Sequence, residues 1–175
     1  MHITCNWEPM ESSSAMTHIL TLESVKEEIY SRNSPTLTPI DIEAHASTVH
    51  RILELKKKHD VVILCHNYME PLVFGISEQN EQGDSLALSM TAVQTDSQYI
   101  IFNGVRFMAE TAKILNPEKT VLIADKTAGC SLADDFSAQD VRNLKEKYPG
   151  VPVMIYINSY AEAKAECDVC CTSAN

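Results

Sequence analysis

No stretch of apolar side chains here is long enough to cross a bilayer: the longest run, Val61-Val62-Ile63-Leu64-Cys65, falls far short of the ~20 residues a spanning helix needs. Basic residues are scarce as well. Lys and Arg total 14 against 24 Asp and Glu, a formal net charge of −10. Such a surface repels phosphate backbones and anionic lipid, which argues against nucleic-acid and membrane binding. The N-terminus has neither a basic stretch leading into an apolar core nor the Arg-rich, acid-poor character of a transit peptide. The expectation is a cytoplasmic protein. In that reducing compartment its six cysteines point to metal or redox chemistry before disulfides. There is no internal repeat and no low-complexity block.

What is present is an ordinary globular composition, 45% apolar and 22% charged. A chain of 175 residues has room for one domain, by the usual ~100–200 residues per domain. Residues 1–37 read as a partly ordered extension. Ser12-Ser13-Ser14 is followed by a helix-like piece marked by Leu22, Val25 and Ile29, then by Asn33-Ser34-Pro35, and Cys5 and Trp7 have no visible partners. From Thr38 the pattern is regular. Thr38-Pro39-Ile40-Asp41 opens a helix with a hydroxyl cap, a proline at the first position and an acid three residues on. Ile42, Ala46, Val49 and Leu53 share one face of it.

The apolar run 61–65 then predicts a strand buried on both faces. Helix over 85–93, strand over 99–102, helix over 105–115, strand over 120–124 and helix over 137–148 follow. Strand 152–157, a helix capped at Ser159-Tyr160-Ala161-Glu162, and a strand beginning at Asp168 complete the alternation. Strands alternating with helices predict βαβ units and a short parallel sheet in an α/β three-layer sandwich. The domain is expected over 38–170. At 171–175 the pattern calls for another helix, so the sequence reads as a piece of something longer.

Open parallel sheets bind ligands outside the carboxyl ends of their strands. The residues just after each predicted strand are His66-Asn67-Tyr68, Asn103-Gly104-Val105-Arg106, the turn from Asp125 to Cys130-Ser131, Asn158 with Tyr156 just inside its strand, and Ser173 with Asn175. Hydrogen-bonding side chains, an imidazole and a thiol thus gather on one edge. Each also has a plainer reading. His66 can be a strand-end histidine, Gly83-Asp84-Ser85 a turn and helix cap, Arg106 a surface charge and Cys130 an inert buried thiol. Alternatively, amides at the start of the helix at Ser85 hold an anion, and a helix starting at Cys130 favours a thiolate. Cys167-Asp168-Val169-Cys170 has C-x-x-C spacing and Cys171 follows. No second ligand pair accompanies them, so the spacing reads as incidental beside a weaker zinc or thiol alternative.

Six segments occur in the order seen in the quinolinate synthase A family, which the sequence resembles from Thr38 onward. They are His66-Asn67-Tyr68, Gly83-Asp84-Ser85, the stretch 104–117 beginning Gly104-Val105-Arg106-Phe107-Met108-Ala109-Glu110, the block 128–134 around Gly129-Cys130-Ser131, Tyr156-Ile157-Asn158, and Cys171-Thr172-Ser173-Ala174-Asn175. The resemblance implies condensation of iminoaspartate with dihydroxyacetone phosphate to quinolinate, for NAD biosynthesis. It also implies an oxygen-sensitive [4Fe–4S] cluster held by one cysteine from each of three similar α/β domains. By the same resemblance Cys130 is a cluster ligand, and His66, Ser85, Tyr156, Asn158 and Ser173 hold the dicarboxylate-like substrate. Tyr68 and His66 are its catalytic pair, with Tyr68 serving proton transfer. Met69 departs from the glutamine usual after that tyrosine. The other two cluster cysteines match nothing up to Asn175, so this chain alone is expected to be inactive without further domains or a second polypeptide. Local positive potential is expected from Arg106, Lys113 or helix N-termini. The alternative is a non-catalytic α/β module that binds a small dicarboxylate or a partner domain.

Overall fold

Thr38 sets the start of the longest helix. Its hydroxyl accepts from the Asp41 N–H (3.3 Å) while the Asp41 carboxylate accepts from the Thr38 N–H (3.0 Å), and Pro39 occupies the first position, where no N–H is missed. Helix α2 (Pro39–His59) runs from there to Asp60, which is left-handed (φ 50°) and ends the helix by donating to the Lys56 carbonyl. The computed structural model describes residues 21–33 and 37–172. Ser173, Cys5, Trp7 and Ser34-Pro35 lie outside the described residues. Helix α1 (Leu22–Asn33) packs Val25 and Ile29 against Ile42 and Val49 of α2 in a small buried cluster.

The apolar run becomes strand β1 (Val61–His66), and Ile63, Leu64, Cys65 and His66 are all buried. It is the second strand of a four-stranded parallel sheet with β2 (Gln82–Gly83), β3 (Tyr99–Asn103) and β4 (Thr120–Ile123), in the order β2-β1-β3-β4. Helix α3 (Pro71–Ile76) and a 3₁₀ turn (Gln79–Glu81) link β1 to β2. Helices α4 (Ser85–Gln94) and α5 (Arg106–Leu115) make the next two crossovers. Leu64, Ile100 and Phe102 from the strands meet Leu88 and Ala92 of α4 and Phe107 and Ala112 of α5 in the main core. Helix and sheet layers are as expected for an α/β sandwich.

The strands nevertheless divide. Helices α6 (Ser131–Asp134) and α7 (Ala138–Lys147) lead to β5 (Met154–Tyr156), then α8 (Ala161–Ala165) leads to β6 (Val169–Cys171). β5 and β6 pair in parallel as a separate two-stranded sheet. Asp168 clamps the pair: its carboxylate accepts from the Val153 N–H (2.8 Å) and its own N–H donates to the Val153 carbonyl (2.9 Å). Ser137 and Asp140 form the second capping box, as predicted. The expected cap at Ser159 is corrected to Tyr160, which makes no side-chain cap bond. The first N–H of α8, on Ala161, is taken by the Glu110 carboxylate at 2.7 Å, so the cap comes from another helix.

The fully buried Leu64 and the half-exposed Ile114 set the expected contrast in stability. Leu64→Ala should lower the free energy of unfolding by about 3 kcal/mol, and Ile114→Ala by about 0.5 kcal/mol or less, measured by urea denaturation.

Candidate functional site

The site is built where the strands end. His66 is the last residue of β1 and 7% exposed. Its Nδ1 accepts from the Tyr68 N–H (3.3 Å), so the neutral ring carries its proton on Nε2. Burial pushes His66 below the ordinary histidine pKa of 6.5, and the Asp84 carboxylate opposes that only in part. The imidazole is thus a neutral N–H donor near neutral pH. The Tyr68 ring meets it edge-on, with centroids 4.8 Å apart, on a turn that leaves Tyr68 88% exposed. That turn is fixed by the Asn67 N–H donating to the Gly83 carbonyl (3.0 Å) and the Met69 N–H to the His66 carbonyl (3.0 Å).

Beside it, β2 passes straight into α4. A Cβ on Gly83 would lie 2.9 Å from Ala87 Cβ, so only glycine permits this close approach of strand to helix. Asp84 caps α4, accepting from the Leu86 and Ala87 N–H groups at 2.9 Å each, which leaves half-buried Ser85 as the first helical residue at the crevice. After β3, a Cβ on Gly104 would meet the Phe102 ring at 3.0 Å. The chain then enters α5 through Val105, which offers no side-chain cap.

Cys130 is half-buried at the N-cap of α6, and its carbonyl accepts from Ala133 and Asp134 N–H at 2.8 and 3.0 Å. Tyr156 closes β5, and half-buried Asn158 follows it. The structure brings these segments together around one cavity of about 510 Å³. Its wall carries His66, Tyr68, Ser85, Cys130, Tyr156 and Asn158, with Asp84, Met69 and Thr172 among them. These positions span more than half the chain, and no local sequence feature joins them. Ser173, also expected here, lies outside the described residues.

Of the three expected sources of positive potential, Arg106, Lys113 and helix N-termini, the two side chains do not line the cavity. Arg106 donates from Nε to the Glu110 carboxylate (2.6 Å) and lies 4.4 Å from the Tyr160 ring centroid, because its i+4 neighbour and the stacked ring are closer than the crevice. Lys113 donates to the Pro117 and Lys119 carbonyls at 2.8 and 2.7 Å. What does reach the cavity wall are the amino ends of α4 and α5, through Ser85, Leu86, Val105 and Phe107, that of α4 already capped by the Asp84 carboxylate.

Among the described residues no three His, Cys, Asp or Glu side chains gather to hold a metal ion. Cys130 is the one thiol on the cavity wall among them. Cys170 is exposed opposite Ile155, Cys171 is half-buried opposite Tyr156, and Cys167 donates to the Ala163 carbonyl (3.2 Å). Sequence reasoning missed the side chains behind Cys130. Tyr160 donates to the Asp134 carboxylate at 2.6 Å, a contact between residues 26 apart that no local pattern announces.

Fold and crevice define an α/β domain with a cavity, lined by both polar and apolar side chains, at the carboxyl edge of its strands. The family model described as "Quinolinate synthetase A protein" matches residues 50–175, and the chain belongs to that family. It is 51% identical over 147 residues to "Quinolinate synthase 2" of Mesorhizobium japonicum, covering 84% of this chain and 45% of that protein. It is 50% identical over 149 residues to "Quinolinate synthase" of Sinorhizobium medicae (85% of this chain, 41% of that one). To the Caulobacter vibrioides "Quinolinate synthase" it is 45% identical over 155 residues (88% and 42%). The chain spans less than half the length of these curated relatives.

The depressed His66 pKa has a definite sign in stability. The unfolded chain binds this proton more readily than the native one, so the contribution is complete above about 6.5 and is lost as pH falls through the lower native value. Between pH 7.5 and 5 the unfolding midpoint of the parent should therefore drop more than that of His66→Gln, as read by thermal scans at both pH values.

Proposed function

We propose that this chain is the first α/β domain of a quinolinate synthase and supplies one wall of the active site that condenses iminoaspartate with dihydroxyacetone phosphate, in the cytoplasm. The observation that carries the reading is the convergence of His66, Tyr68, Ser85, Cys130, Tyr156 and Asn158 on one cavity from four separate crossovers. Membership of the family supports it. So does a composition in which no helix among the described residues is long and apolar enough to cross a membrane.

The donor set suits a dicarboxylate. Ser85 and Tyr156 offer hydroxyls, Asn158 an amide, and His66 an Nε2–H, all neutral groups that hydrogen-bond carboxylate oxygens without introducing a fixed cation. Tyr68, exposed at the rim and in ring contact with His66, is placed to exchange a proton with substrate as carbon–carbon bond formation removes one and dehydration requires one. Tyr68 and His66 are the catalytic pair in this reading, with Ser173 a further substrate ligand.

A [4Fe–4S] cube takes three or four protein ligands, and the described residues place a single thiol, Cys130, on the cavity wall. A half-buried thiol beside neutral donors fits the role of one such ligand, the others coming from the rest of the enzyme. When bound, the cluster supplies a Lewis-acidic iron. The partners are accordingly the two substrates and the remaining domains, carried on the same or a second polypeptide.

Completed with the remaining segments of the Mesorhizobium japonicum relative and reconstituted anaerobically with iron and sulfide, the chain should form quinolinate. Cys130→Ser should abolish both the visible absorption of the cluster and activity, and Tyr68→Phe should lower turnover by about 10²–10⁴-fold with the cluster intact. Retention of cluster and activity in Cys130→Ser would sink the assignment. Dicarboxylate binding by the cluster-free chain with no activity after completion would favour a binding module instead.

A further inference from the structure

Helix α6 is only four residues long, and its N-cap residue Cys130 makes no side-chain cap bond. So short a helix has little stability of its own and takes its position from its surroundings. Burial of Ala133 in the main core anchors it, and two hydrogen bonds set its ends. At one end the Arg106 N–H donates to the Ala128 carbonyl (2.8 Å). At the other the Tyr160 hydroxyl donates to the Asp134 carboxylate (2.6 Å), a charge-assisted bond. Tyr160 packs against the main core together with Cys130. The Asp134 bond holds the Tyr160 proton and raises its pKa, while the Cys130 backbone N–H beside the same oxygen pulls the other way.

Tyr160 is itself held from α5. Its ring lies over the Arg106 guanidinium, Glu110 pairs with Arg106 and receives the Ala161 N–H, and Lys164 donates to the Thr111 hydroxyl at 2.8 Å. It also stands two residues after Asn158, at the start of α8. One side chain thus joins the turn that carries the thiol to the wall that carries Tyr156 and Asn158.

We propose that Tyr160, through its hydroxyl bond to Asp134, is a positioning residue that fixes the Cys130 thiol relative to the substrate-holding wall of the cavity. Its functional meaning rests on the reading of Cys130 as a cluster ligand; the bracket itself does not. Loss of the hydroxyl frees the α6 turn while the ring stays over Arg106, so the effect is confined to Cys130 and its neighbours.

The test uses the 175-residue chain without iron, alkylated by iodoacetamide and resolved cysteine by cysteine by peptide mass. Tyr160→Phe should raise the rate at Cys130 about fivefold, the population shift expected when one hydrogen bond is lost, and leave Cys167 unchanged. Asp134→Ala should raise it too, but no more than Tyr160→Phe, which also removes the oxygen beside the Cys130 N–H, and the double variant should go no higher than Tyr160→Phe. Asp134→Asn keeps an acceptor oxygen and should remain near the parent rate. An unchanged Cys130 rate in Tyr160→Phe, or an equal rise at Cys130 and Cys167, overturns the proposal. Because no cluster takes part, that failure leaves the quinolinate synthase reading standing, and the failure of Cys130→Ser described above leaves the bracket standing.

Discussion

Parallel pairing of β1 with β3, from Val61 opposite Tyr99 to Cys65 opposite Asn103, obliges both strands to deliver their last residues to the same edge. The register is held by burial. A slip of one residue would turn Ile100 and Phe102 out of the core, both now fully buried, and the cost of exposing them fixes the pairing. With β2 beside His66, the consequence is geometric: His66, Gly83-Asp84-Ser85 and Gly104 become neighbours although the sequence separates them widely. The two glycines then let the backbone close down, Gly83 onto α4 and Gly104 onto the Phe102 ring.

Much of this was legible because the signals are local. The 61–65 run, the capping boxes at Thr38 and Ser137, and the apolar face of Ile42, Ala46 and Val49 each lie within a few residues, where the physics of one turn or one strand decides. The cavity was legible for a topological reason, since parallel strands put their loops on one edge whatever the loops contain. The rest depended on distant partners. Two-residue β2 exists only as a partner of β1, the β5–β6 pair splits from the main sheet, and α6 is too short to leave a periodic trace. Ser159 looks like a cap in sequence, yet Glu110, 51 residues before Ala161, does the capping.

Charge was the point on which the sequence left three sources open: Arg106, Lys113 and helix N-termini. In a chain of net charge −10, Arg106 stands in sequence just after a strand end, where a cation would face the crevice. Glu110 neutralises it from one turn away, and the pair is turned toward Tyr160 and α8. The cavity wall instead carries neutral donors, one carboxylate, Asp84, and the amino ends of α4 and α5. At α4 that amino end is already met by a carboxylate of the chain itself, since Asp84 accepts from the Leu86 and Ala87 N–H groups.

The two walls of the cavity are not equally firm. His66, Ser85 and Val105 stand on a four-stranded sheet with a continuous apolar core, whereas Tyr156 and Asn158 stand on a pair of three-residue strands that share no sheet hydrogen bond with it. What registers the second wall against the first is a handful of contacts between α5 and α8: Glu110 to the Ala161 N–H, Lys164 to Thr111, and Arg106 on Tyr160. Each such contact contributes on the order of 1 kcal/mol, far less than the burial that holds β1 to β3. The second wall is therefore the less firmly held of the two, and the bond from Tyr160 to Asp134 ties the Cys130 turn to it.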